Sequence, residues 1–260
     1  MTLWQGIILG LVQGLTEFLP VSSSGHLVLV ESLTGVKLPG LFVEVALHVA
    51  TLGSVLVVYG GRLRDILRGA VNGRPDERRA VGLLVLGTIP AGIIGVLFHR
   101  TVEAHFHSLT FIGGAFIVTG FILWSTRRRA GTRAAPTWLA ALGVGAAQAV
   151  AIFPGVSRSG STVSAALWAG LGPAAAAEYS FLLAVPVIGG AALLESRHML
   201  ADVAAVGAVP LTVSFGVAFA TGIWSIRFLV ALLRRGRFYA FAPYCWIVGA
   251  LTIADALWRR

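Results

Sequence analysis

The chain contains six long apolar stretches separated by shorter polar ones. Each stretch approaches the roughly 20 apolar residues that a helix needs to cross a bilayer. The pattern therefore predicts six membrane-spanning helices, at residues 41–60, 80–98, 108–125, 174–194, 203–224 and 239–257.

Two further regions, residues 1–35 and 137–172, each contain two shorter apolar pieces around a loop of proline, serine and glycine. In the first region Gln13 and Glu17 are four residues apart and share one helix face, and Pro20 ends that helix because its ring does not fit a helix interior. A polar loop at membrane depth must have its backbone groups satisfied by protein or by a water-filled cavity. We therefore predict two re-entrant helical hairpins.

The two hairpin regions are copies of one motif, offset by 135 positions. Ser23 corresponds to Arg158 and His26 to Ser161, so the first copy carries an acid and an imidazole and the second carries the cation. In an inverted-repeat membrane protein, a pseudo-two-fold axis brings two such loops together at the midplane. The offset aligns Gln13, Phe18, Val21, Ser22, Ser24 and Gly25 with Gln148, Phe153, Val156, Ser157, Ser159 and Gly160.

The composition agrees with a membrane location. With 260 residues, 57% of them hydrophobic and only 12% charged, the chain has too little polar surface for a soluble domain. We predict an all-α integral membrane fold that forms a single polytopic domain over residues 1–260. Its two inverted repeats, at about 1–125 and 137–258, would contain the six spanning helices and the two hairpins that meet at the midplane.

The net charge of +9 comes mostly from arginines in loops between apolar segments, which argues against a surface for nucleic acid. Loops 61–79, 126–136 and 225–238 hold six, four and four arginines, which is 14 of the 20 basic residues. Short loops rich in arginine face the cytoplasm. The resulting topology places both termini outside, with Arg259 and Arg260 as a minor exception at the extreme end of the chain.

The two polar loops together predict a pocket for an anion. Arg158 offers a planar fork of donors that suits a phosphate, and the alternative is a structural ion pair with Glu17. Neighbouring hydroxyl and backbone N–H groups either bind phosphate oxygens or cap a helix. The candidate binding residues are Gln13, Ser22, Ser24, Gly25, Gln148, Ser157, Ser159, Gly160 and Thr162.

Glu17, Ser23 and His26 are the candidates for bond-forming chemistry, together with Arg158. An unpaired carboxylate in lipid is costly, so Glu17 needs a cation or a role in proton transfer, and it forms a candidate acid/base pair with His26. Two mechanisms stay open. Either His26 activates Ser23 as the nucleophile, or His26 itself attacks and Ser23 binds the phosphate.

Two other groups of polar residues carry weaker signals. Glu178 follows a Gly-Pro helix start, so it either stabilises the helix dipole or supports the site from behind. His99, His105 and His107 fall in one predicted outside loop, but only Glu103 lies near them in sequence. That pattern argues against a metal site there.

The run QGLTEFLPVSSSGH at residues 13–26, together with PGVSRSGST at 154–162, resembles the undecaprenyl-pyrophosphate phosphatases, a bacterial membrane family also called bacitracin-resistance proteins. AEYSFLLAVP at 177–186 and TIPA at 88–91 extend the resemblance over nearly the whole chain. One position departs from the family pattern. Gln13 stands where some members have the first glutamate of an acidic pair, so a role that needs two carboxylates is not supported here.

The resemblance implies an enzyme of the bacterial inner membrane. Its members hydrolyse undecaprenyl diphosphate to undecaprenyl phosphate and inorganic phosphate, which recycles the lipid carrier for cell-wall synthesis and confers bacitracin resistance. A divalent cation, magnesium or calcium, is implied, which would bridge Glu17 and the diphosphate. No organic cofactor is expected, and a homodimer stays open.

The residues alone permit a function of another class. Inverted repeats with broken helices at the midplane are also the architecture of transporters. The alternative is therefore a transporter or flippase of a lipid phosphate or a small anion. Phosphate release by purified protein in detergent, where no second compartment exists, separates the two.

Overall fold

The computed structural model describes residues 1–35, 40–129, 131–195 and 207–259, and its regular elements in this part of the chain are helices. The predicted all-helical class is therefore confirmed. In chain order the helices are α1 (Leu3–Thr16), α2 (Ser23–Thr34), α3 (Gly40–Val71), α4 (Pro75–Leu97), α5 (His99–His105), α6 (Leu109–Trp124), α7 (Trp138–Val150), α8 (Arg158–Trp168), α9 (Pro173–Glu195), α10 (Ala208–Arg234) and α11 (Ala242–Trp258), with a 3-10 turn at Phe238–Phe241.

Within the described ranges, five helices are long and apolar enough to cross a membrane, which fits a multi-pass membrane protein. They match five of the six predicted spans, although the first residues of the predicted span 203–224 lie outside the described residues. The five candidate spans are Phe42–Val71, Pro75–Leu97, Pro173–Leu193, Ala208–Arg234 and Phe238–Trp258.

The predicted span 108–125 is the exception, and the expectation of six full-length spans is not met by the described residues. This stretch forms α6, which has 16 residues and at 1.5 Å per residue is about 24 Å long, compared with a hydrocarbon core of about 30 Å. Phe116 and Leu123 of α6 are fully buried. The helix is apolar because it packs among other helices, and its hydropathy therefore overstates its length as a span.

Two spanning helices continue beyond their predicted ends. α3 runs into the predicted loop 61–79 as far as Val71, and Ile66 on this extension is buried. α10 likewise continues to Arg234, with Leu233 buried beside it. Arginines on the exposed side lower the average hydropathy, but one apolar face continues, and that face keeps the chain helical.

The two predicted hairpin regions each fold as two helices around a loop. The first loop (residues 17–22) joins α1 to α2, and the second loop (residues 151–157) joins α7 to α8. Both hairpins begin in the same way, because the hydroxyls of Thr2 and Thr137 accept backbone N–H groups at the starts of α1 and α7.

Each hairpin packs closely against a spanning helix from the other half of the chain. α1 lies on α10, and a Cβ atom added to Gly10 would come within 2.5 Å of the carbonyl oxygen of Ser214. α7 lies on α4, and a Cβ atom on Gly145 would meet the carbonyl oxygen of Gly87 at 2.5 Å. Only glycine permits this approach of two backbones. The packing fixes where the first and second loops lie.

Candidate active site

The site is built around the carboxylate of Glu17, which follows α1 and is only 6% exposed. Its Oε1 accepts a hydrogen bond from Nη2 of Arg158 at 2.5 Å. Its Oε2 accepts from the hydroxyl of Ser23 at 2.6 Å and from Nε2 of Gln13 at 3.2 Å. Nε2 of His48 lies 3.3 Å from the same Oε2. Four side chains from four helices therefore converge on one buried acid.

The first loop places the Ser23 hydroxyl next to Glu17. α1 ends at Thr16, and Ser22 then caps α2, so Ser23 is the first residue of the new helix. Ser22 has a φ of 69° and is the one non-glycine residue of the described ranges with a positive φ. An L-residue with a side chain rarely adopts this conformation, which is typical of functional sites.

The second loop supplies the cation. Arg158 is the first residue of α8, and Ser157 caps that helix by accepting the N–H of Gly160 at 3.0 Å. Nη1 of Arg158 is buried and has no hydrogen-bond partner among the described residues. A buried guanidinium donor without an acceptor leaves room for an anion.

The two loops touch each other, as the internal repeat predicts. The hydroxyl of Ser159 donates to the carbonyl oxygen of Leu19 at 3.3 Å. A Cβ atom on Gly25 would lie 3.2 Å from the Cα atom of Gly155, so the absence of a side chain at Gly25 allows the close approach. The loops also meet through the ion pair of Glu17 with Arg158, which are 141 residues apart in sequence.

His26 lies elsewhere than the sequence suggested. Its Nδ1 is 2.7 Å from the carbonyl oxygen of Ser22, and its Nε2 is 2.8 Å from the hydroxyl of Tyr244. The predicted pairings of His26 with Glu17 and with Ser23 are therefore not the contacts that the structure has. The partner of the Ser23 hydroxyl is Glu17.

Two further residues, His48 beside Glu17 and Tyr244 beside His26, were not predicted from the sequence. Nδ1 of His48 faces the carbonyl oxygen of Glu44 at 2.8 Å, and its Nε2 faces Glu17. Both ring nitrogens of His48 therefore face oxygen atoms that can accept hydrogen bonds. The signal was present, since Glu44 and His48 interrupt the apolar stretch 41–60, and an ionisable residue in a spanning helix is a functional candidate.

The remaining predicted site residues divide into two groups. Ser22 and Ser24 share a hydroxyl contact of 3.4 Å, and Ser157 and Ser159 share one of 3.3 Å, so these hydroxyls pair at the starts of α2 and α8. Three others form no hydrogen bond with Glu17. The hydroxyl of Thr162 lies 2.6 Å from that of Ser180 in α9. Gln148 is buried, and neither polar atom of its side chain is paired among the described residues. Glu178 forms an exposed ion pair of 3.1 Å with Arg62.

The second loop is held by a residue that the motifs did not include. The hydroxyl of Thr119 in α6 accepts the N–H of Ser157 at 3.2 Å and donates to the carbonyl oxygen of Gly155 at 3.3 Å. No repeat or motif marks Thr119, because a single hydroxyl in an apolar helix is common. Its role depends on the packing of α6 against the second loop.

The cluster has the charge and the contacts for phosphate chemistry. The Glu17 carboxylate faces Arg158 and His48, and Nη1 of Arg158 is left for a further acceptor. A serine hydroxyl that donates to a buried carboxylate has the arrangement of a nucleophile beside a general base. The arrangement is therefore able to attack a phosphoryl group and to stabilise the charge that develops on it.

Comparison with known proteins shows the family of this chain. Residues 6–251 match the family model for the bacitracin resistance protein BacA. An undecaprenyl-diphosphatase of Desulfatibacillum aliphaticivorans is 42% identical over 270 residues, covering 95% of this chain and 96% of the relative. Relatives of the same name in Desulforapulum autotrophicum (97% and 98% covered) and Elusimicrobium minutum (100% of both chains) are each 40% identical. The chain therefore belongs to the BacA family of bacitracin resistance proteins.

Proposed function

We propose that this protein is an integral-membrane phosphatase that hydrolyses undecaprenyl diphosphate to undecaprenyl phosphate and inorganic phosphate. The observation that carries the proposal is the hydrogen bond from the Ser23 hydroxyl to Glu17. Beside it lies Arg158, whose buried Nη1 has no acceptor among the described residues. The names of the relatives supply the substrate. The reaction recycles the lipid carrier for cell-wall synthesis, and in the bacterial inner membrane it confers resistance to bacitracin.

In the proposed reaction Ser23 is the nucleophile. Its Oγ attacks the terminal phosphorus, its proton passes to Oε2 of Glu17, and the P–O bond to the lipid phosphate breaks. Arg158 stabilises the charge on the transferring group, with Nη1 available for a phosphate oxygen. Glu17 then gives this proton to the departing lipid phosphate and is a carboxylate again. Water attacks the phosphoserine and passes a proton to Glu17, and that proton returns to Oγ of Ser23 as inorganic phosphate leaves.

The alternative mechanism, attack by His26, has less support. Nδ1–H of its ring donates a hydrogen bond to the carbonyl oxygen of Ser22, and its Nε2 accepts one from Tyr244. To attack through Nε2, His26 would have to give up Tyr244, whereas the Ser23 hydroxyl already lies 2.6 Å from a base. Ser23 is therefore the nucleophile that we propose.

A divalent cation, magnesium or calcium, belongs to the proposal only as a companion of the diphosphate. Among the residues that the structure describes, no three His, Cys, Asp or Glu side chains are grouped to hold a metal ion. Both oxygens of Glu17 already accept hydrogen bonds from side chains. These side chains do not form a ready set of ligands, and the reaction above uses no step through an ion.

The architecture that we propose is a pair of inverted repeats with two re-entrant hairpins and six crossings, in which the short α6 counts as a crossing. Gly10 and Gly145 support it, because they are equivalent under the 135-residue offset and pack closely on α10 and α4, two helices that the same offset aligns. Ser22 and Ser157 are also equivalent, and each caps the second helix of its hairpin.

The proposed orientation places both termini outside and the arginine-rich loops in the cytoplasm. With Cys245 replaced by serine, cysteines at Asn72 and Thr132 are expected to be shielded from an impermeant thiol reagent in intact cells, while one at Ala104 should react. All three positions are exposed in the structure. Labelling at Asn72 or Thr132 without lysis would reverse the orientation.

Purified protein in detergent provides the direct test of the function. It is expected to release one phosphate from each undecaprenyl diphosphate, because hydrolysis needs no second compartment. A flippase or anion transporter would release none under these conditions and would act only across a sealed bilayer. Failure of the wild-type protein to release phosphate, in the presence of either cation, would therefore remove the proposed function.

A further inference from the structure

His26 joins two parts of the molecule that lie far apart in sequence. Its ring stacks on Tyr244 of α11, with an angle of 5° between the planes and 5.8 Å between the centroids. Phe116 contacts the ring edge-on at 5.0 Å. A neutral ring that donates from Nδ1 to Ser22 and accepts at Nε2 from Tyr244 satisfies both of its hydrogen bonds. We call this pair the His26–Tyr244 clasp.

The clasp acts on the strained turn at Ser22. The carbonyl oxygen of Ser22 accepts the Nδ1 proton of His26 at 2.7 Å, while the backbone N–H of His26 is 3.3 Å away. The ring therefore makes the closer contact to the carbonyl. Ser23, the next residue, places its hydroxyl on Glu17. A shift in the turn would move the hydroxyl away from the acid.

The second hairpin provides an internal comparison. Ser157 is equivalent to Ser22 but has an ordinary φ of −72°. Ser161 stands in the place of His26, and its backbone N–H bonds Ser157 at 2.9 Å, as in a regular helix. The second hairpin, with its ordinary backbone at Ser157, has no imidazole at this position. The first hairpin, with its strained backbone at Ser22, has His26. Strain of this kind persists only where surrounding contacts hold it.

α11 holds the first hairpin at a second point. The thiol of Cys245, next to Tyr244, lies 3.7 Å from the carbonyl oxygen of Pro20 in the first loop. One turn of α11 therefore contacts both the loop before Ser22 and the ring after it. The first turn of α11 thus forms a fixed base for the clasp.

We propose that His26 and Tyr244 are positioning residues that hold the strained turn at Ser22 and so keep the Ser23 hydroxyl on Glu17. This inference rests on the proposed function of Ser23 as nucleophile. It assigns a role to Tyr244 and gives His26 a role other than base or nucleophile. His26 acts through Nδ1 on the backbone, and Tyr244 acts through Nε2 on the orientation of the ring.

Three variants test the clasp. Tyr244→Phe keeps the ring stack and removes only the hydroxyl, so kcat should fall about three- to ten-fold with little change in KM. His26→Ala removes both contacts, and kcat should fall about 10²-fold, because displacing a reacting group by about 1 Å has effects of this order. His26→Asn keeps a donor near the position of Nδ1, so it should be about ten-fold more active than His26→Ala.

A double variant separates the clasp from independent effects. Asn at position 26 cannot reach Tyr244, so His26→Asn with Tyr244→Phe should match His26→Asn alone. Tyr239→Phe, a tyrosine on the preceding turn whose ring contacts Trp124, is the matched control and should keep wild-type kcat. Equal activity of His26→Asn and His26→Ala, or additive losses in the double variant, would overturn the inference.

The same set of measurements keeps the inference apart from the function. Each variant is compared with wild-type protein that hydrolyses the diphosphate in detergent. If the wild type is active while Tyr244→Phe is unchanged, the clasp is wrong and the phosphatase stands. If the wild type is inactive, the proposed function fails first. Phosphate trapped on His26 after quenched turnover would contradict the clasp and leave the phosphatase in place.

Discussion

Replacement of Ser23 by alanine is expected to lower kcat by on the order of 10⁴-fold or more, because removal of a nucleophile leaves only the rate that binding and charge stabilisation supply. The structure makes the expectation specific, since the Ser23 hydroxyl lies 2.6 Å from Oε2 of Glu17. Turnover of labelled undecaprenyl diphosphate by the purified variant measures the loss. Quenched turnover by the wild type should trap the label on serine.

Two further variants sharpen this prediction. Glu17→Gln should be comparably severe, because an amide cannot take the proton of Ser23. Thr16→Val is the matched control, since the hydroxyl of Thr16 bonds only its own helix, at the carbonyl oxygen of Val12. An adduct on His26 would favour the alternative nucleophile. No adduct, with losses of only a few-fold in the single variants, would indicate direct attack by water.

Replacement of Arg158 by alanine is expected to lower kcat by about 10²- to 10³-fold, the usual effect of removing one preorganised donor from a developing negative charge. Nη2 of Arg158 donates a hydrogen bond to Glu17, and its buried Nη1 has no partner in the described part of the chain. In the proposed reaction the guanidinium therefore contacts both the base, Glu17, and the phosphate. Arg158→Lys should recover little activity, because an ammonium lacks the planar fork.

Stability needs a separate measurement, because removing one partner of a buried ion pair typically costs about 3–5 kcal/mol. His48 still faces Glu17 in the Arg158→Ala variant, so the carboxylate keeps one of its nitrogen partners. Arg158→Lys should unfold closer to the wild-type temperature than Arg158→Ala while remaining slow. Arg78→Ala, at an exposed arginine, is the control. Turnover of Arg158→Ala near the wild-type rate would rule out the composite pocket.

The sequence by itself determined the class of the protein and the main outline of its site. Apolar length predicts five of the spans, because crossing a bilayer demands about 20 apolar residues in a row. Pro20 predicts a break after α1, but the polar run Ser22–His26, which was expected to be loop, already begins α2 at Ser23 because the Ser22 hydroxyl caps that helix. The 135-residue offset predicts that the two loops meet, and the contact of Glu17 with Arg158 joins them.

Only the tertiary structure decided which side chains become partners. Glu17 accepts a hydrogen bond from Ser23, six residues away in sequence. His26 instead pairs with Tyr244, at a separation of 218 residues. Sequence spacing places residues on a face of a helix but does not say which helix that face will meet. His48 shows the same limit, because its polarity in α3 signals a function and only the packing reveals that Glu17 is its partner. The burial of α6 is also decided by packing, since burial among helices and exposure to lipid favour the same apolar residues.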